Sequence, residues 1–233
     1  MKASITKAEV WFHSMGWKIF PFQKQVWKAY FEGNSGLVNA PTGSGKTFSL
    51  LIPAFLFSQK SSTKGVRWIW ITPIRALAKE IHQSAEKAIE ALDLDWTVGV
   101  RTGDTSTAER ARQKKAMPDL LITTPESLHL LLASKGFAQS FKNLEAIIVD
   151  EWHELMGSKR AVQTELAISS LKFLKKELKI WAISATIGNM DQALEVLLGP
   201  NFPASKTKVI KANIKKNIKG PYIWLSIFHK IHG

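Results

Sequence analysis

Apolar residues along this chain fall into two alternating rhythms. Short β-branched or aromatic runs stand at residues 37–39, 66–72, 97–101, 120–123, 146–149 and 180–184, and each has the length and continuity of a strand buried on both faces. Between them, Leu77, Ile81, Ala85, Ala88, Ile89 and Leu92 recur at helical spacing, and residues 164–178 repeat the pattern. Strands that alternate with helices predict an α/β domain with a mostly parallel sheet and helices on both faces. Ahead of the sheet, residues 4–33 read as two helices parted by Gly16 and Pro21. Trp11, Phe12, Trp17, Phe20, Phe22 and Trp27 mark their core faces, with a base-stacking surface as the competing reading. The predicted organisation is a helical segment at 1–35, the α/β domain at 36–200 and a basic tail at 201–233.

Composition narrows the class. At 233 residues, 45% apolar, with nine Trp and twelve Phe, the chain is suited to one well-packed domain. It has no signal-peptide order at its amino terminus and no apolar run long enough to cross a bilayer, so a soluble, cytoplasmic protein without membrane contact is expected. The absence of cysteine excludes disulfides, thiol catalysis and zinc-thiolate sites, and the six histidines show no paired metal-ligand spacing. Net charge is +13, which favours a polyanionic partner such as nucleic acid. Seven lysines (Lys206, Lys208, Lys211, Lys215, Lys216, Lys219, Lys230) lie after residue 200 with no acid among them, so part of the excess belongs to a tail that reads equally as a solvated end or as a DNA contact.

Two fragments carry the chemistry. In Ala40-Pro41-Thr42-Gly43-Ser44-Gly45-Lys46-Thr47 the glycines permit a backbone that turns successive N–H groups onto a phosphate, and the helix that follows adds its positive dipole end. Lys46 is placed to reach the outer phosphates, and the Thr47 hydroxyl to ligate a bridging magnesium ion. Ala40 stands where the general pattern has its first glycine. The second fragment, Asp150-Glu151, follows the apolar run 146–149 at the end where parallel sheets place ligands. Asp150 would hold magnesium and Glu151 would orient and deprotonate the attacking water. The competing reading of Asp-Glu, a helix cap, is an ordinary one. Together the fragments predict an ATPase site using ATP and Mg2+.

In order, these motifs resemble the first RecA-like domain of a superfamily 2 helicase, over about residues 15–200. Residues 40–47 look like motif I, Asp150-Glu151-Trp152-His153 like a DExH-type motif II, and Ser184-Ala185-Thr186 like motif III. Thr72-Pro73-Ile74-Arg75-Ala76-Leu77 resemble motif Ia, Thr102-Gly103-Asp104 the glycine motif after it, and Thr123-Thr124-Pro125-Glu126-Ser127-Leu128 motif Ib. Asp150 to Arg160 resemble the large-helicase-related branch, and among its members most closely the bacterial ligase-associated DEXH-box DNA helicases, with Trp152 the main cue. The resemblance implies a three-layer RecA-like fold, DNA-dependent ATP hydrolysis and a link to DNA repair.

Residue by residue, it implies that Gln23 reads adenine; that Thr42, Gly43, Ser44, Gly45, Lys46 and Thr47 hold the nucleotide; that His153, Ser184 and Thr186 couple hydrolysis to domain movement; and that Pro73, Arg75, Thr102, Gly103, Thr124 and Pro125 contact nucleic acid. Capping is the competing explanation of Thr72, Thr124, Ser184 and Thr186, and packing that of His153. Arg75 at a helix start opposes the dipole, which favours a phosphate partner. Residues 201–233 match none of the later helicase motifs, so a second RecA-like domain would come from elsewhere, and slow turnover with no strand separation is expected of the chain alone. A binding module without turnover and an RNA-directed domain are the alternative readings.

Overall fold

The computed structural model describes residues 2–57, 65–185 and 187–213, with side chains from residue 5. In chain order the elements are α1 (Lys2–Ser14), α2 (Pro21–Phe31), β1 (Ser35–Asn39), α3 (Lys46–Phe57), β2 (Trp68–Ile71), α4 (Arg75–Ala91), β3 (Val98–Arg101), α5 (Thr107–Lys115), β4 (Leu120–Thr123), α6 (Pro125–Leu132), α7 (Phe137–Ser140), β5 (Ala146–Val149), α8 (Trp152–Leu155), α9 (Lys159–Leu174), β6 (Lys179–Ser184), α10 (Met190–Leu198) and β7 (Thr207–Lys211). The strands form one seven-stranded sheet in the order β3-β4-β2-β5-β6-β1-β7, and every pairing is parallel.

Strand alternation divides the core into two layers. Trp68, Trp70, Ile148, Trp181 and Ile183 face the layer formed with α1 to α4, whereas Ile69, Ile71, Ile147, Val149 and Ala182 face the layer under α6, α9 and α10. The aromatic residues of the first two helices belong to the first layer: Trp11, Phe12, Phe22 and Trp27 are buried, and Trp17 and Phe20 pack against them. Core packing, and not an exposed stacking platform, is their role.

The sheet also extends into the segment expected to be a basic tail. Strand β7 pairs with β1 from Ser35↔Thr207 to Asn39↔Lys211. Its sequence, Thr-Lys-Val-Ile-Lys, holds only two apolar residues among polar ones and buries only Ile210, which is why a search for continuous apolar runs passes over it. Residues 214–233, with Lys215, Lys216, Lys219 and Lys230, lie outside the described residues. Helix α9 begins five positions before the predicted 164 because the Ser158 side chain accepts a hydrogen bond from Ala161 N at 3.3 Å and starts it there. Among the described residues no helix is long and apolar enough to cross a membrane.

Candidate functional site

All the strands point the same way, so their carboxyl ends form one rim, and the predicted site residues collect there in two groups. Strands β1, β5 and β6 carry the nucleotide candidates; β2, β3 and β4 carry the strand-binding candidates.

The phosphate cradle leaves β1 and enters α3 at Lys46. Gly43 and Gly45 have φ of 78° and 75°, the left-handed conformation that the loop needs and other residues resist. A Cβ at Gly43 would meet nothing within 4 Å, whereas one at Gly45 would lie 3.0 Å from Gln23 Nε2. The root of the loop is fixed to β6 and β7: Ala40 N donates to Ser184 O at 3.0 Å, Asn39 Nδ2 to Ala185 O at 3.4 Å, and Ala212 N to Asn39 O at 2.8 Å. Thr42 and Gly43 are exposed, and Thr47 is half-buried at the first turn of α3. Gln23 is 1% exposed. It accepts from Phe20 N at 2.9 Å and donates to Gly45 O at 3.0 Å, tethering the loop to α2.

Motif II closes the other side. Lys46 Nζ donates to Glu151 Oε1 in an ion pair whose side chains are 9% and 14% exposed, so cradle and acidic pair are in direct contact. Glu151 has φ 46°, a left-handed conformation rare for a residue with a Cβ and common where function holds a side chain in place. Asp150 is buried; it accepts from Glu151 N at 3.0 Å and from Trp70 Nε1 at 3.4 Å. Burial first, and the Glu151 charge second, push its carboxyl up to about 6, against the opposing pull of Lys46 and the hydrogen bonds from Trp70 and the Glu151 amide.

His153 Nδ1 is 2.9 Å from Ser184 Oγ and 3.5 Å from Glu151 Oε2, while Nε2 is 3.2 Å from Glu154. The shorter contact is the hydrogen bond, which leaves Glu151 Oε2 buried without one. His153 and Ser184 therefore meet. Thr186 lies outside the described residues. Trp152 Nε1 donates to Ala193 O at 2.9 Å and fastens motif II to α10.

The chemistry of this corner fits magnesium and a triphosphate. Ser44 Oγ is buried without a hydrogen-bond partner inside the loop, the backbone around Gly43 faces open space, and an acid destabilised by burial wants a cation. Among the described residues no group of three or more His, Cys, Asp or Glu side chains could hold a metal. An ion at Thr47 and Asp150 would thus need phosphate oxygens and water to complete its coordination.

On the other half of the rim, Arg75 Nη1 donates to Asp104 Oδ1 at 2.7 Å, and Gly103 abuts the same guanidinium. Thr102 accepts from Asp104 N at 3.3 Å, and its own N–H donates to Thr105 at 2.9 Å. Thr124 caps α6, accepting from Ser127 N at 3.4 Å, and Pro125 fills its first position. Capping is thus an observed role of Thr124. Pro73 is buried, and its carbonyl accepts from Arg160 Nη1 at 3.4 Å. The structure brings Pro73, Arg75, Thr102, Gly103, Thr124 and Pro125 to neighbouring strand ends. Sequence reasoning gave no role to Arg110, whose guanidinium holds the carbonyls of Thr102, Gly103 and Thr105 at 2.9 to 3.2 Å, nor to Arg160 or Trp70. None of these three has a spacing signal: Arg160 and Trp70 act through neighbours remote in sequence, and Arg110 through main-chain carbonyls, which any residue type supplies.

The family model described as DEAD/DEAH box helicase matches residues 20–193. This chain belongs to that family. It is 32% identical to the ATP-dependent helicase Lhr-Core of Methanothermobacter thermautotrophicus, over 76% of this chain and 22% of the relative. It is 33% identical to the Lhr helicase/uracil glycosylase of Escherichia coli, over 65% of this chain and 11% of the relative. The structure of the Mycobacterium smegmatis helicase Lhr bound to ssDNA and AMP-PNP superposes with a TM-score of 0.81 at 28% identity, covering 97% of this chain and 32% of that one. The large-helicase-related branch expected from the Asp150–Arg160 stretch is the one these relatives carry. The chain spans about a fifth or less of the length of these two curated relatives.

Proposed function

We propose that this chain is the nucleotide-binding first RecA-like domain of an ATP-dependent DExH-box helicase acting on DNA, with a role in DNA repair. The observation that supports this most is the buried contact of Lys46 with Glu151, which joins two fragments remote in sequence into one corner with Asp150 behind it. In this reading Lys46 and the loop from Thr42 to Thr47 hold the phosphates, Thr47 and Asp150 hold magnesium, and Glu151 orients the attacking water once Lys46 turns to the phosphate. Mg2+ held there would supply charge neutralisation for the phosphates. Gln23 supports the loop through Gly45, and its second amide N–H and second oxygen lone pair are the groups that would read adenine. His153 and Ser184, with Thr186, relay the state of the corner to β6.

Strand binding falls to Arg75, Thr102, Gly103, Thr124 and the backbone after Pro73 and Pro125. The DNA-bound mycobacterial structure supports DNA; backbone contacts alone do not distinguish it from RNA. A second RecA-like domain is the partner this reading requires, since an arginine finger contributes about 10³ to 10⁵ in rate, and turnover by this chain alone should be slow. DNA repair proteins are further expected partners. The ligase-associated subtype rests on Trp152 and the stretch around it.

The test is calorimetry with Mg-ATP together with steady-state ATPase, with and without single-stranded DNA, for the unsubstituted chain, Lys46→Ala and Glu151→Gln. Stimulated turnover lost in both variants supports the motor reading. Binding of both ligands with no turnover in any added second domain supports a non-hydrolysing module, and failure to bind nucleotide removes the proposal. Competition between DNA and RNA strands of one sequence at fixed salt decides the polymer.

A further inference from the structure

Arg160 stands in the first turn of α9 and reaches across two other elements. Its Nε donates to Glu126 Oε1 at 2.6 Å, in the first turn of α6, and its Nη1 donates to the Pro73 carbonyl at 3.4 Å. Pro73 precedes the start of α4, where Arg75 sits; Glu126 follows Thr124 and Pro125. One guanidinium therefore joins the two loops assigned to the nucleic-acid backbone, and it does so from the segment that follows the Asp150-Glu151 loop by way of Gly157 and the Ser158 cap. Glu126 and Arg160 are 44% and 52% exposed, so the pair contributes little to the fold itself.

We infer that Arg160 is a positioning residue that sets the spacing of the Pro73–Arg75 and Thr124–Glu126 loops for successive phosphates of a bound strand. The proposal rests on the strand-binding reading given above. A planar fork with donors on separate edges can serve a carbonyl and a carboxylate at once, whereas an ammonium group supplies charge without that geometry. The alternative, direct phosphate contact by Arg160, makes an opposite prediction at Glu126. Removing an acid beside a phosphate-binding arginine strengthens DNA binding; removing one anchor of the brace weakens it.

Two measurements on the full chain test this. Hydrogen exchange without ligand reads the brace directly: Arg160→Ala should raise exchange severalfold in residues 72–76 and 124–128, with a thermal midpoint shifted by only a few degrees. Fluorescence anisotropy with a labelled single-stranded oligonucleotide reads its use. Arg160→Ala and Glu126→Ala should each weaken binding about five- to tenfold, and Arg160→Lys should restore less than half of the loss. Unchanged exchange in Arg160→Ala overturns the brace whatever DNA does. Tighter DNA binding by Glu126→Ala, full rescue by lysine, or unchanged affinity despite loosened loops overturns its role in strand binding. If the loops loosen but the unsubstituted chain binds no strand, the brace stands and the strand-binding reading falls.

Discussion

At the nucleotide corner, polar groups are buried and incompletely bonded: Ser44 Oγ and Glu151 Oε2 lack hydrogen bonds, and Asp150 is held as an acid of raised affinity for protons. At the strand-facing edge the reverse holds. Arg75, Arg110 and Arg160 stand among acceptors supplied by neighbouring loops, two of them in ion pairs that are about half exposed or more. The first region is prepared for a ligand that replaces internal contacts in a dry setting, where each group counts for much. The second is a self-satisfied electrostatic surface, where contacts are exchanged with water and salt at small cost.

The largest effect should follow from Lys46→Ala. Removing one partner of a buried ion pair leaves Glu151 uncompensated, so nucleotide-free stability should fall by about 3 kcal/mol, and Mg-ATP binding should drop below detection. Denaturant titration and calorimetry check both, and retention of normal ATP affinity would break the distinction between the two regions. Glu151→Gln should keep nucleotide binding and lose turnover.

Asp150→Asn comes next and should act in opposite directions on stability and function. The folded chain holds the Asp150 proton up to about pH 6 and the unfolded chain only to about 3.8. The favourable contribution is therefore complete below pH 3.8 and lost as pH rises through 6. Above pH 6 the buried carboxylate is a burden on the order of 2–3 kcal/mol. The asparagine variant should be more stable than the parent by that order at pH 7.5, should approach it near pH 4, and should lose magnesium-dependent nucleotide binding throughout. Melting curves across that range decide it; a variant less stable at pH 7.5 would show that the Trp70 and Glu151 amide bonds outweigh burial.

The two regions also differ in how far they can be read from sequence. Lys46, Thr47, Asp150 and Glu151 are legible because their chemistry demands particular residue types next to a strand end, and the strands themselves are continuous apolar runs. The fold was accessible for the same reason, apart from β7, whose short, lysine-flanked edge sequence resembles solvated tail. Arg160 and Asp104 acquire meaning only through partners that the order of the parallel strands brings near, and Arg110 only through the carbonyls of the folded Thr102–Thr105 turn. An arginine bonded to three carbonyls looks like any exposed arginine in a linear chain. The left-handed Glu151 and the proton affinity of Asp150 are likewise products of packing.

The smallest effects, and the sharpest test of the comparison, belong to Arg75 and Asp104. Their 2.7 Å ion pair is 62% and 68% exposed, so it contributes at most about 1 kcal/mol to the fold. On the proposed strand-binding role, a phosphate would have to take Arg75 from Asp104. Asp104→Asn should therefore tighten single-stranded DNA binding by about two- to threefold at low salt, while Arg75→Ala weakens it severalfold and reduces the slope of log affinity against log salt by about 0.7, the value of one phosphate contact on a single strand. Both differences should fade as salt is raised, whereas the losses in Lys46→Ala should persist, because screening reaches exposed charges and not buried ones. Salt-independent effects at Arg75, or an Asp104→Asn variant that binds DNA more weakly, would mean that this pair shapes the Thr102–Thr105 turn as part of the framework and does not wait on its surface for a phosphate.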